Sequence, residues 1–212
     1  MKNFDYHEAV FRDLPNSYKK WIDEEKKFLR GKIKKDSKVL EVGCGDGRSL
    51  KDIIDITQNL VGIDIDKNAV IIAKKNFEKY PEVNIIEGDG RKLPFENATF
   101  DFVICMTSFV NFDNNKYIIL EEMGRVLKNK GEIIMSVFNE DAFDERMKIY
   151  KKLKAPIIKT EGTKVIFDKS LGANTSEQFS KEELDEIFNK ESLKINEIKK
   201  AGIGYVLSAT KK

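Results

Sequence analysis

Histidine is nearly absent from this chain and cysteine is scarce: 212 residues hold one His and two Cys. Two thiols, Cys44 and Cys105, are too few for a disulfide scaffold and have no metal-ligand spacing. No metal site is therefore expected, and each thiol reads as a small buried hydrophobe beside a strand end. Neither sign of charge dominates, since 38 Lys and Arg face 36 Asp and Glu for a net charge of +2. A protein that tracks phosphates carries a concentrated basic excess, so nucleic acid is not the expected partner. No apolar run approaches the roughly 18–20 residues that a membrane span needs. Residues 1–13 have no apolar signal-peptide core. The expectation is a cytoplasmic protein without a membrane partner.

What is present is globular: 41% hydrophobic and 35% charged residues allow a packed core under a charged surface. The length fits one α/β domain with a modest insertion. Short β-rich runs lie at Lys38-Val39-Leu40-Glu41-Val42, Leu60 to Ile63, Val83 to Ile86, Phe102 to Cys105 and Glu132 to Val137. Helical spacing separates several of them, with apolar faces at Leu50, Ile53 and Ile54, at Ala69, Ile72, Ala73 and Phe77, and at Ile119, Met123, Val126 and Leu127. Strands apolar nearly throughout are covered on both faces, so they run parallel. Right-handed crossovers then make the sheet doubly wound, with helices on both faces.

The C-terminal part changes character. Ser180-Lys181-Glu182-Glu183 reads as a capping box. Two strands follow, Leu193 to Ile198 and Ile203 to Thr210, and their short Gly202 connection predicts an antiparallel hairpin at the sheet edge. Two segments stand apart. Asn16 to Arg30 is an amphipathic helix carrying Tyr18, Trp21, Ile22, Phe28 and Leu29, and 1–35 is expected to form an N-terminal lid. Asn139 to Phe179 is an insertion that begins as a helix and holds a hairpin of Lys164 to Asp168 against Asn174 to Phe179; it is expected to cap a substrate.

In an open α/β sheet, ligands bind beyond the carboxyl ends of the strands. The first such end is Glu41-Val42-Gly43-Cys44-Gly45-Asp46-Gly47. Its glycines permit a tight turn and close approach of the backbone to a ligand. A helix starting near Arg48 would aim free N–H groups at a carboxylate. A dinucleotide fingerprint needs a third glycine at position 48, where Arg stands. About twenty residues on, Asp64 ends the second strand in Ile63-Asp64-Ile65-Asp66, where a carboxylate can accept from both ribose hydroxyls. Asp89 in Gly88-Asp89-Gly90 can accept from an adenine amino group.

The runs Val39 to Gly47, Val61 to Asp64, Glu87 to Gly90, Phe100 to Cys105 and Val126 to Glu132 resemble, in order and spacing, the motifs of class I S-adenosylmethionine-dependent methyltransferases. The resemblance spans Lys38 to Val137, and more loosely Ser180 to Thr210. It implies a seven-stranded, mostly parallel sheet with a reversed final strand. It also implies S-adenosylmethionine as methyl donor and S-adenosylhomocysteine as product. By position, Gly43 and Gly45 would pass the methionine part, Asp64 would hold the ribose, and Asp89 and Gly90 would frame the adenine. Cys105, Met106 and Phe109 would lie near the transferred methyl. Glu41, Cys44 and Ile65 complete the expected cofactor contacts.

The acceptor is less legible. Ile104-Cys105-Met106-Thr107-Ser108 has no Asn-Pro-Pro-Tyr signature of exocyclic-amine or amide methylation, and no Pro precedes Cys105 as in cytosine-carbon methylases. A small molecule is the expected acceptor, ahead of a protein side chain. His7, Tyr6 and Tyr18 are the candidates for a base, because N-terminal segments of related enzymes fold over the cofactor. Two rival readings stand beside methyl transfer: a dinucleotide-dependent oxidoreductase and a non-catalytic cofactor-binding module. Nothing in the sequence separates a monomer from a homodimer.

Overall fold

The computed structural model describes residues 15–168 and 174–212. After helix α1 (Asn16–Lys32) come strands β1 (Val39–Val42), β2 (Leu60–Asp64), β3 (Asn84–Glu87), β4 (Phe100–Met106) and β5 (Leu127–Phe138). Helix α2 (Arg48–Lys51) follows β1, α3 (Lys67–Asn76) follows β2, and α4 (Lys116–Val126) leads into β5. The chain continues through α5 (Phe143–Lys152), β6 (Ile157–Glu161), β7 (Lys164–Phe167), β8 (Thr175–Ser176), α6 (Lys181–Lys190), β9 (Leu193–Ala201) and β10 (Gly204–Lys211).

Seven strands form one sheet in the order β3-β2-β1-β4-β5-β10-β9. Strands β1 to β5 are parallel, and β10 runs antiparallel to both β5 and β9. The doubly wound, mostly parallel architecture with a reversed C-terminal strand is therefore present. The hairpin is inserted so that β10 lies inside the sheet and only β9 is at the edge. The burial of these strands explains that choice: β10 is buried from Gly204 to Ala209, whereas β9 exposes Lys194, Asn196, Lys199 and Lys200, as a solvated edge does. Central β1 is buried at all four positions, because helices cover both of its faces. Strand order reverses between β1 and β4, which opens a crevice at their carboxyl ends.

Helix α1 belongs to the core. Tyr18, Trp21, Glu25, Phe28 and Leu29 form its buried face, a helical stripe at intervals of three and four. Trp21 seats it: Nε1 donates to the Tyr205 carbonyl at 3.2 Å, and the ring packs on Phe138 at 5.0 Å. A Cβ at Gly204 would come within 2.2 Å of that ring, so only glycine admits the indole.

The insertion builds a second sheet, β6-β7-β8. The expected hairpin is there, with Val165 opposite Ser176 and Ile166 opposite Thr175. Strand β6 was not foreseen, since Ile-Ile-Lys-Thr-Glu is mostly exposed and lacks apolar alternation. Fully buried Arg146 ties α5 to this sheet through Ser176, Gln178 and the Thr163 carbonyl, with its guanidinium over Phe138. The sheet rests on the segment after β4, where the Glu177 N–H donates to the Val110 carbonyl at 2.8 Å and Phe179 packs on Phe109.

One helix face differs from expectation. Helix α3 is capped by Asp66, whose Oδ1 accepts from Asn68 and Ala69. It buries Val70, Ala73 and Phe77 while Ile72 is 41% exposed. Both apolar stripes share Ala73 and Phe77, so docking against the sheet, rather than periodicity, selected between them.

Candidate donor site at the sheet switch point

The Gly-rich loop turns out of β1 with Gly43 at φ +74° and Gly45 at φ +53°, backbone that costs an L side chain but not glycine. The Gly43 and Cys44 N–H groups both donate to the Ile63 carbonyl, which pins the loop to β2. At Gly45 a Cβ would meet nothing within 4 Å, so the loop there faces open space. A helix starts at Arg48, as expected, but it offers little to a ligand. Helix α2 is one turn of four residues, too short for a sizeable dipole, and its Arg48 N–H is taken by Asp46 Oδ1 at 3.1 Å.

Asp64 ends β2 beside this loop. Its Oδ2 accepts the Gly45 N–H and its Oδ1 the Asp66 N–H, each at 2.8 Å. Each carboxylate oxygen retains capacity for a further donor. Ile65, next in the chain, is 68% exposed and offers an apolar surface next to that carboxylate. Asp89 ends the third motif and is gripped by Arg91, with Nε at 2.9 Å and Nη2 at 2.5 Å. The Arg91 hydrogen bonds hold the Asp89 carboxyl below the usual carboxylate range. Gly90 lies against Val42 and Ile119, where a Cβ would be 3.1 Å from Val42.

The other expected contacts are buried. Cys44 turns its Sγ inward against Gly62, where it also reaches the Gly45 carbonyl at 3.8 Å. Cys105 is fully buried, and burial pushes both thiols well above their ordinary range; neither is a nucleophile. Met106 is buried, and Phe109 is enclosed between Phe112 and Phe179 at 5.9 and 5.7 Å. The residues over Gly43 are instead Ser108, whose Oγ donates to the Gly43 carbonyl at 2.6 Å, and Phe112. Tyr18 packs edge-on to Trp21 and Phe138. Tyr6 and His7 lie outside the described residues.

Two buried carboxylates flank the loop. Glu41 on β1 is almost fully enclosed, and its Oε2 has no hydrogen-bond partner. Burial, only partly offset by Arg48, pushes its carboxyl up to about 8. Glu25 on α1 is fully buried and binds Arg48, Ser136 and Thr107. Sequence reading passed over Glu25, yet its position was a signal: it is an acid four residues after Trp21 and three before Phe28, in the middle of an apolar stripe.

Glu41 makes stability depend on pH. Its folded value is raised above an unfolded value near 4.3, so its contribution is complete below that value and is lost as pH rises through about 8. Across that window the group subtracts about 1.4 kcal/mol per pH unit. Glu41→Gln should flatten this slope, which unfolding by urea between pH 5 and 9 measures; parallel slopes in the two proteins would refute the assignment.

A cavity of about 350 Å³ opens between α4, α6 and the small sheet, with Lys116, Tyr117, Lys164, Glu177 and Lys190 in its walls. None of Gly43 to Gly47, Asp64 or Asp89 lines it, so it is separate from the loop. No helix among the described residues is long and apolar enough to cross a membrane.

Residues 39–131 match the family model of a methyltransferase domain. An uncharacterized protein of Methanocaldococcus jannaschii is 32% identical over 157 residues, 71% of each chain. A demethylmenaquinone methyltransferase of Bacillus licheniformis is 31% identical over 137 residues, 63% of this chain and 56% of that one. Among solved structures, a Pyrococcus horikoshii protein superimposes with a TM-score of 0.73 at 25% identity, covering 99% of this chain and all of that one. The Burkholderia thailandensis 1,6-didemethyltoxoflavin-N1-methyltransferase, solved with 1,6-didemethyltoxoflavin and S-adenosylhomocysteine, reaches 0.71 over 98% of this chain and 84% of that one; at 16% identity it speaks for the fold alone. The match of residues 39–131 to the methyltransferase-domain model, on a sheet whose one reversed strand sits between β5 and β9, identifies in this chain a methyltransferase domain with the class I fold.

Proposed function

We propose that this chain transfers a methyl group from S-adenosylmethionine to a small-molecule acceptor. The observation that carries the reading is the Asp64 carboxylate, fixed by two backbone N–H groups at the mouth of a glycine loop that opens on empty space. A ribose diol finds its acceptor there. The orphaned Glu41 oxygen beneath the loop suits a ligand that brings a cationic amine. Gly43, Gly45 and the Cys44 backbone would border the amino-acid part, Asp64 and Ile65 the ribose and adenine edge, and Asp89 and Gly90 the adenine. When bound, the cofactor supplies an electrophilic methyl on a sulfonium. The chain's own task is alignment and exclusion of water, and orientation supplies roughly 7–11 kcal/mol in such displacements.

Residues 139–179 are the acceptor cap in this reading, because Glu177 and Phe179 rest on the segment after β4. An N-terminal cover formed by the segment 1–35 would have α1, itself part of the core, as its anchor. A small acceptor is also what the names of the demethylmenaquinone and toxoflavin enzymes describe for those proteins.

Calorimetric titration tests the donor. S-adenosylhomocysteine should bind at least tenfold more tightly than NAD. Tighter binding of NAD would replace the reading with that of an oxidoreductase. Tight S-adenosylhomocysteine binding without methyl release to any of a varied acceptor set would leave a cofactor-binding module.

A further inference from the structure

The acid on α1 sits where the helix should be apolar. Tyr18, Trp21, Phe28 and Leu29 share its face, and a buried carboxylate there is costly unless every lone pair is used. Glu25 uses both oxygens at the donor loop. Oε2 accepts from Arg48 Nη2 at 2.6 Å, immediately past Gly47. Oε1 accepts from Ser136 Oγ at 2.6 Å on β5 and from Thr107 Oγ1 at 3.2 Å just after β4.

Thr107 is a β-branched residue at φ +66°, a conformation such side chains avoid. Its N–H donates to Ser136 Oγ at 2.8 Å, so the same hydroxyl that binds Glu25 also holds the strained turn. The next residue, Ser108, closes over Gly43. One carboxylate thus grips the far end of the glycine loop through Arg48, and its near end through Thr107 and Ser108.

We propose that Glu25 is a positioning residue of the donor site: it fixes the glycine loop and the turn after β4 as one unit around the amino-acid half of S-adenosylmethionine. The inference rests on the donor proposed above. It assigns the ribose and adenine contacts to Asp64 and Asp89 and leaves them independent of Glu25. The chemistry is specific. Glutamine keeps the shape of Glu25 but is neutral and replaces one acceptor oxygen by an NH2 donor, so the guanidinium and the two hydroxyls can no longer share one anion.

Two probes separate the halves of the ligand. S-adenosylhomocysteine carries the amino acid, whereas methylthioadenosine carries only the nucleoside and its sulfur. Glu25→Gln in the full chain should weaken S-adenosylhomocysteine at least tenfold and change methylthioadenosine less than twofold. Where Glu25→Gln does not fold, the pair Glu25→Met with Arg48→Met removes both charges, the exchange that buried ion pairs tolerate best, and should show the same selective loss. An equal loss for both probes would make Glu25 a structural residue only, and no loss for either would remove the role altogether. If the wild-type chain binds neither probe, it is the donor assignment that falls, and Glu25 with it.

Discussion

Replacing Asp64 by alanine lowers the affinity for S-adenosylhomocysteine at least tenfold while the domain still folds. A hydrogen bond to a charged group contributes about 1.5–3 kcal/mol, and the ribose diol offers two. Tenfold corresponds to about 1.4 kcal/mol, so even one such bond suffices. The same carboxylate also holds the Gly45 and Asp66 N–H groups, and the variant frees both. The loop therefore loses order as well as a ligand contact, and unfolding stability drops by about 1–3 kcal/mol. Asp64→Asn separates the two effects. Its single carbonyl oxygen can keep one backbone donor, so the loop is held better than in the alanine variant while the charge assistance to the ribose is gone. Calorimetry on the three proteins, with thermal melts alongside, reads both quantities. Unchanged affinity in Asp64→Ala would mean that the ribose lies elsewhere.

The second large effect is on stability. Trp21→Ala should cost about 3–5 kcal/mol, the range for truncating a buried large aromatic. The indole is 1% exposed, packs at a tilt against Phe138, and donates to the Tyr205 carbonyl. No smaller side chain fills the slot over Gly204, and the Tyr205 carbonyl loses the indole donor. For a domain of this length each kcal/mol lowers the melting temperature by about 2–4 °C, which gives a fall of roughly 6–20 °C. Glu25 lies one turn further along the same helix, so looser seating of α1 should also weaken cofactor binding. A melt displaced by less than about 2 °C would contradict the docking of α1 on β10.

The wall of the site is divided between residues that local pattern reveals and residues that it hides. Gly43, Gly45, Asp64 and Asp89 stand at strand ends, and their types answer to conformation and hydrogen bonding within a few residues. The cysteines and Phe109 follow β1 or lie in and after β4, yet whether such a side chain turns toward the crevice or the core depends on its neighbours in space. Cys44 turns toward Gly62, and Phe109 toward Phe179. Phe112 and Ser108 stand over Gly43 because a 3₁₀ turn after β4 carries them there.

By itself, the sequence determined the parallel sheet, the tight turn of the glycine loop, and the caps at Asp66 and Ser180. Each is a consequence of side-chain period or backbone preference over a short stretch. Tertiary structure alone decided that α1 is core, that β10 enters the sheet ahead of β9, and that Glu25 meets Ser136 across 111 residues of chain. Such contacts come from packing between distant elements, where many arrangements satisfy the same pattern and only the closest fit survives. An acid in an apolar stripe looks like an error along the helix; in the fold it is the anion that joins Arg48 to the turn after β4.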